Sequence, residues 1–182
     1  MKKLKTKKVN STILKSIPFN DKKELSGYIE KKVIHYSIGR KTNCKTFPDK
    51  PIVFHTHVDI MPSDDNIIFP DMPSPLDIIV FMLINNRKMY IKTPRIFFTF
   101  TKTKQAEKIT EKICMCILEN EKYWEKLVKE NNVEMMLSLV LNYLKENLNK
   151  RNYVWHMSWK RLVEQIFKIK VKMENSDVKE HI

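Results

Sequence analysis

Three cysteines among 182 residues cannot build a disulfide framework, so idle or buried thiols in a reducing compartment are expected. Cys114 and Cys116 lie two apart in a helical pattern. Residues at that spacing do not face each other, which argues against a local disulfide or a shared zinc. No apolar run is long enough to span a bilayer, and the basic start lacks the apolar stretch of a secretory signal. An intracellular location, cytoplasm or nucleus, is therefore expected, with no membrane partner. Only two glycines, beside abundant lysine, isoleucine and asparagine, suggest an AT-biased genome. Such a bias raises charge without a functional reason. No internal repeat is visible. No helix-turn-helix, zinc-finger or aromatic RNA-binding pattern occurs either, so nucleic acid is not the expected partner.

Acidic residues are scarce beside basic ones, 21 against 34, for a net charge of +13. The excess is uneven. Residues 1–50 carry +10, residues 51–100 carry −1 and the remainder +4. The run Lys2-Lys3-Leu4-Lys5-Thr6-Lys7-Lys8 could meet nucleic acid or an anionic surface, or address the chain to the nucleus. The expectation is plainer: residues 1–9 are a basic flexible tail. Apolar residues make up 42%, ample for a core, and the length suits one domain with an appended subdomain.

The pattern along the chain predicts a mixed α/β fold. Ser11 to Ile17 reads as a short helix ended by Pro18. Leu25 to Ile29, Val33 to Ile38 and Ile52 to His55 read as strands, with a polar loop over Gly39 to Lys50. Ser74 to Asn85 reads as a helix with Leu76, Ile79, Val80 and Leu83 on one face. Met89 to Thr93 and Arg95 to Thr101 are strands separated at Pro94. Beyond residue 103 the pattern becomes helical. Ile109, Ile113, Cys116 and Ile117 form one stripe, and Val133, Met136, Leu137, Val140, Leu141, Leu144 and Leu148 a longer one. Ser158 is a candidate cap for a third helix with Leu162, Val163 and Ile166. Ile169, Val171 and Met173 alternate as a final strand. The expected division is a tail at 1–9, a catalytic domain at 10–103, a mainly helical region at 104–173 and a polar tail at 174–182.

The chemistry concentrates in two short motifs. His55-Thr56-His57 closes the apolar run Pro51-Ile52-Val53-Phe54. Side chains two apart on a strand share a face, so both imidazoles point the same way. Ser74-Pro75-Leu76-Asp77 is a helix start, with Ser at the N-cap, Pro first and Asp third. Two imidazoles and a carboxylate are good zinc ligands, and a catalytic zinc usually takes three protein ligands with one position left for water. His55, His57 and Asp77 fill that set. Asp65 is the rival third ligand, closer in sequence to His57 but without the following helix pattern. Glu24, before Leu25-Ser26-Gly27, can supply the general base that such water needs. His35, His156 and His181 show no ligand spacing.

Taken together, Glu24 with Gly27, then His55-x-His57, then Ser74-x-x-Asp77 resemble the JAMM (MPN-plus) family of zinc isopeptidases. The resemblance spans about residues 10–103. It implies an MPN-like (cytidine-deaminase-like) mixed sheet flanked by helices, with the helical C-terminal part as an extension. It also implies one Zn2+ per chain on His55, His57 and Asp77, with Glu24 as acid/base and Ser74 steadying the oxyanion. The implied reaction is hydrolysis of the isopeptide bond that joins ubiquitin, or a ubiquitin-like protein, to a lysine. Two features depart from the family. Nineteen residues, 58–76, separate His57 from Asp77, where the family's spacing is shorter. Val58 stands where the family tends to have Pro. The longer segment reads as an inserted loop, either bordering a substrate channel or lying idle on the surface. A metal-free scaffold of the broader MPN family is the alternative. The helical C-terminal part is a candidate protein-binding surface, with Trp124, Trp155 and Trp159 as candidate anchors.

Overall fold

In the computed structural model, the structure describes residues 4–9, 12–20, 22–39, 45–58, 73–130, 132–147 and 163–176. The chain is mixed α/β, with a seven-stranded mixed sheet flanked by helices. Its strands are β1 (Lys5–Lys8), β2 (Leu25–Glu30), β3 (Val33–Ile38), β4 (Ile52–Thr56), β5 (Lys88–Lys92), β6 (Ile96–Lys102) and β7 (Ile169–Asn175), in the order β1-β3-β2-β4-β5-β6-β7. Strands β1, β3, β2 and β4 pair antiparallel, and β4 pairs parallel with β5. A parallel neighbour needs a crossover, and α2 (Pro75–Leu83) lies in the connection from β4 to β5.

Two ends of the chain correct the sequence reading. Lys5–Lys8 is an edge strand paired with β3, from Lys5 opposite Tyr36 to Lys8 opposite Val33, rather than part of a flexible tail over 1–9. At the other end β7 runs on through Glu174 and Asn175, and the Ser176 N–H donates to Arg95 O at 2.8 Å. The polar tail expected from residue 174 is therefore strand at its start. Ser158, Leu162, Trp155, Trp159, His156, His181 and Leu148 lie outside the described residues, as does Asp65.

The chain forms two compact units. The first comprises Met1–Met72, Asn85–Phe100 and Lys172–Ile182. Its core joins Ile29, Ile34, Phe54, Tyr90 and Phe97 with Ile17, against which Ile13 and Leu14 of α1 (Ile13–Ser16) pack. Thr12 caps that helix, its Oγ1 accepting from Lys15 N–H at 3.4 Å. Lys92 is buried and its Nζ donates to Leu14 O and Ile17 O, both at 3.2 Å. The ammonium thus meets carbonyls that the short helix leaves without intrahelical partners. Asn86, also buried, donates to Phe47 O at 3.1 Å and to Lys50 O, which fastens the segment leading into β4.

The second unit comprises Pro73–Ile84 and Thr101–Val171. It holds α2, α3 (Lys104–Glu119), α4 (Glu121–Lys129) and α5 (Val133–Asn147). Ile79, Leu127 and Met136 form a buried cluster, with Trp124 packed against it. The predicted stripe on α3 is buried at Ile109, Ile113 and Cys116, and that on α5 at Met136, Val140, Leu141 and Leu144. Cys114 is exposed while Cys116 is buried, as the i,i+2 spacing requires. No helix among the described residues is long and apolar enough to cross a membrane.

Lys102 closes the C-terminal end of α2. Its Nζ donates to Met82 O at 3.1 Å and Ile84 O at 2.6 Å, above the Phe81 ring. Burial lowers its pKa to about 8, opposed by the nearby Glu107 carboxylate. The unfolded lysine holds its proton up to about 10.5, so between pH 8 and 10.5 the unfolded chain binds more protons. Stability contributed by this group therefore rises with pH across that window. Burial pushes the Cys116 thiol up to about 11, which acts in the opposite direction above pH 9. The difference between wild type and Lys102→Met isolates the lysine. Urea unfolding at pH 8 and pH 10 should show a rise in wild type that is smaller or reversed in the variant. Equal slopes would contradict a depressed lysine.

Candidate metal centre

His55 is held in place by a strand on either side. It pairs with Ser26 on β2 and with Ile91 on β5. His57 follows the end of β4, and its N–H donates to Lys92 O at 2.9 Å. The strand parity predicted from sequence is realised: the two Nε2 atoms are 3.0 Å apart and the ring centroids 4.9 Å. Two nitrogens on a tetrahedral zinc, each at about 2.05 Å, would stand about 3.3 Å apart. The pair is close to that separation.

Asp77 occupies the third position of α2 in a full capping box. Ser74 N–H donates to Asp77 Oδ2 at 2.7 Å, and Asp77 N–H donates to Ser74 Oγ at 3.1 Å. The Ser74 hydroxyl also donates to Oδ2, at 2.8 Å. Two of these bonds, both from Ser74, end on Asp77 Oδ2, so the cap fixes the carboxylate at the mouth of the helix. His55, His57 and Asp77 form a group that could hold a metal ion, with one ligand atom from each lying within 4.8 Å of the others. All three are half-buried. Two imidazoles and a carboxylate are a fitting donor set for zinc.

Glu24 immediately precedes β2. From its own neighbourhood in sequence it is one more acid in a charged segment. Ser26 opposes His55, Gly27 opposes Phe54 and Tyr28 opposes Val53. Directly opposed residues of an antiparallel pair share a face, so Ser26 and His55 belong to one face of the sheet. Glu24 and His57 each lie one residue outside their strands. The Gly39 N–H donates to Glu24 O at 2.8 Å, which ties this segment back to the end of β3.

Sequence reasoning missed Thr56. It is fully buried, and its Oγ1 accepts from the Leu25 N–H at 2.9 Å. This bond locks the residue after Glu24 to the residue between the two histidines. A signal was present: a residue between two same-face side chains points to the other face, and a hydroxyl buried there needs a partner. His35, with no ligand spacing, stacks on Tyr28 with centroids 4.6 Å apart. Ser74 differs in one respect from its expected role. Its single hydroxyl proton is directed at Asp77, so steadying an oxyanion requires the hydroxyl to turn.

Comparison with family models, with curated proteins and with solved structures found no match to this chain.

Proposed function

We propose that this chain is a zinc-dependent isopeptidase with a JAMM/MPN-like catalytic fold, acting on ubiquitin or ubiquitin-like conjugates inside the cell. The reading is carried by one observation: the His55 and His57 Nε2 atoms, 3.0 Å apart, grouped with the Asp77 carboxylate. When bound, zinc supplies Lewis acidity that makes water a competent nucleophile near neutral pH. His55 near the end of β4 and His57 just beyond it would hold the ion, with Asp77 from the first turn of α2. Glu24, just before β2, would take the proton of the attacking water and return it to the leaving lysine amine. Ser74, once turned from Asp77, donates to the developing oxyanion.

The deciding measurement is zinc per purified chain for wild type, Asp77→Ala and Asp65→Ala. One zinc is expected in wild type and Asp65→Ala, and none in Asp77→Ala. Loss only in Asp65→Ala would move the third ligand into the segment between β4 and α2. No zinc in wild type after reconstitution would leave a metal-free scaffold as the better account.

A further inference from the structure

The basic N-terminal run changes meaning once it is a strand. Lys5, Lys7 and Lys8 are exposed along an edge, and Lys8 stands opposite Val33, beside the turn that joins β2 to β3. That turn has two residues, Lys31 and Lys32, both exposed and both at positive φ, 47° and 61°. The Val9 N–H donates to Lys32 O at 2.9 Å, which draws the end of β1 against the same turn. Lys8, Lys31 and Lys32 therefore gather at one corner of the first unit, with Lys7 and Lys5 further along the same edge. The acid at that corner, Glu30, is paired with Lys50 at 3.2 Å.

Edge protection accounts for lysines on β1, since charged edge strands resist pairing with other chains. It does not account for the turn. Two-residue hairpins with positive φ at both positions favour Asn-Gly, because a Cβ is strained there. Two lysines in that conformation bear backbone strain. Strain of this kind points to a use for the side chains.

The strands that carry these lysines also carry rings. Tyr28 and His35 stack with planes 12° apart, and Phe47 tilts against Tyr28 at 5.3 Å. Lys50 Nζ lies 4.5 Å from the Tyr28 centroid and Lys45 Nζ 5.4 Å from that of Phe47. By register, Tyr28, His35, Thr6 and Lys8 share one sheet face. On that face Lys8 sets a phosphate-neutralising charge near the half-buried His35 ring, on which a base can stack, while Lys5 and Lys7 project from the opposite face of the same edge strand. We infer that the β1 edge and the β2–β3 turn form a docking surface for single-stranded nucleic acid. The charge of +10 over residues 1–50 complements such a polyanion. This inference is independent of the zinc reading.

The test is binding of a labelled single-stranded oligonucleotide of about 20 nucleotides, followed as salt is raised. Wild type should bind with a steep logarithmic salt dependence. Replacing Lys5, Lys7 and Lys8 together by Thr keeps strand propensity and should lower that slope by about 2. Lys31→Asn with Lys32→Gly should lower it by about 1.4 while raising the unfolding midpoint, which separates lost binding from lost folding. Unchanged slopes in both variants, or no binding by wild type, would overturn the inference. Binding to phosphatidylserine vesicles but not to the oligonucleotide would overturn it in favour of a membrane surface.

Discussion

Glu24→Gln is expected to keep one zinc per chain and to lose about 10²- to 10⁴-fold in turnover of a ubiquitin–lysine isopeptide. The amide is the same size as the carboxylate but cannot accept a proton, so binding and fold are spared and proton transfer is not. The loss corresponds to about 3–5 kcal/mol of transition-state stabilisation. Two hydrogen bonds hold the backbone around residue 24: Gly39 N–H to Glu24 O, and Leu25 N–H to Thr56 Oγ1. The substitution touches neither. Zinc content and single-turnover cleavage, measured on the same preparation, separate the two effects. A variant as fast as wild type would remove Glu24 from the mechanism. A variant without zinc would make residue 24 part of the metal's surroundings rather than the base.

Gly27→Ala should be the most destabilising single-methyl change in the β2–β4 ladder. Gly27 pairs with Tyr36 on one side and Phe54 on the other. A Cβ there would fall onto His35 O and would lie 2.7 Å from Phe54 Cε1. The first obstacle is backbone and cannot rotate away. The second is a ring in the core of the first unit. Overpacking of this kind costs about 3 kcal/mol or more, a large part of the 5–15 kcal/mol that holds a typical domain together. Urea unfolding should therefore show a markedly lower midpoint or no folded baseline at all. A midpoint within about 1 kcal/mol of wild type would mean that the sheet yields more readily than its packing indicates.

Local signals carried most of the elements into view, and long-range pairing hid the rest. The Ser74-Pro75-Leu76-Asp77 start was legible because a capping box is written within four residues. The shared face of His55 and His57 was legible because strand parity is local. Strand β1 was not. All four of its residues are exposed, so it shows no apolar alternation, and its lysines look like a solvated tail until β3 is placed beside it. The pairing of Ser26 with His55 depended on register between strands about thirty residues apart, which no local pattern encodes. The break between α3 and α4 was equally hidden. It falls at Asn120, which caps one helix and starts the next, without a Gly or Pro to mark it.

His55 sits in the fourth of seven strands, with ladder partners on both sides, and Asp77 is fixed by its own capping box. Both are thus supported by hydrogen bonds that do not involve an ion. Small zinc modules that melt when stripped of metal obtain their folding energy from coordination. Under the proposed zinc reading the opposite is expected: the scaffold would stand without the ion, chelation would remove activity without unfolding the chain, and returning the metal would restore activity without a refolding step.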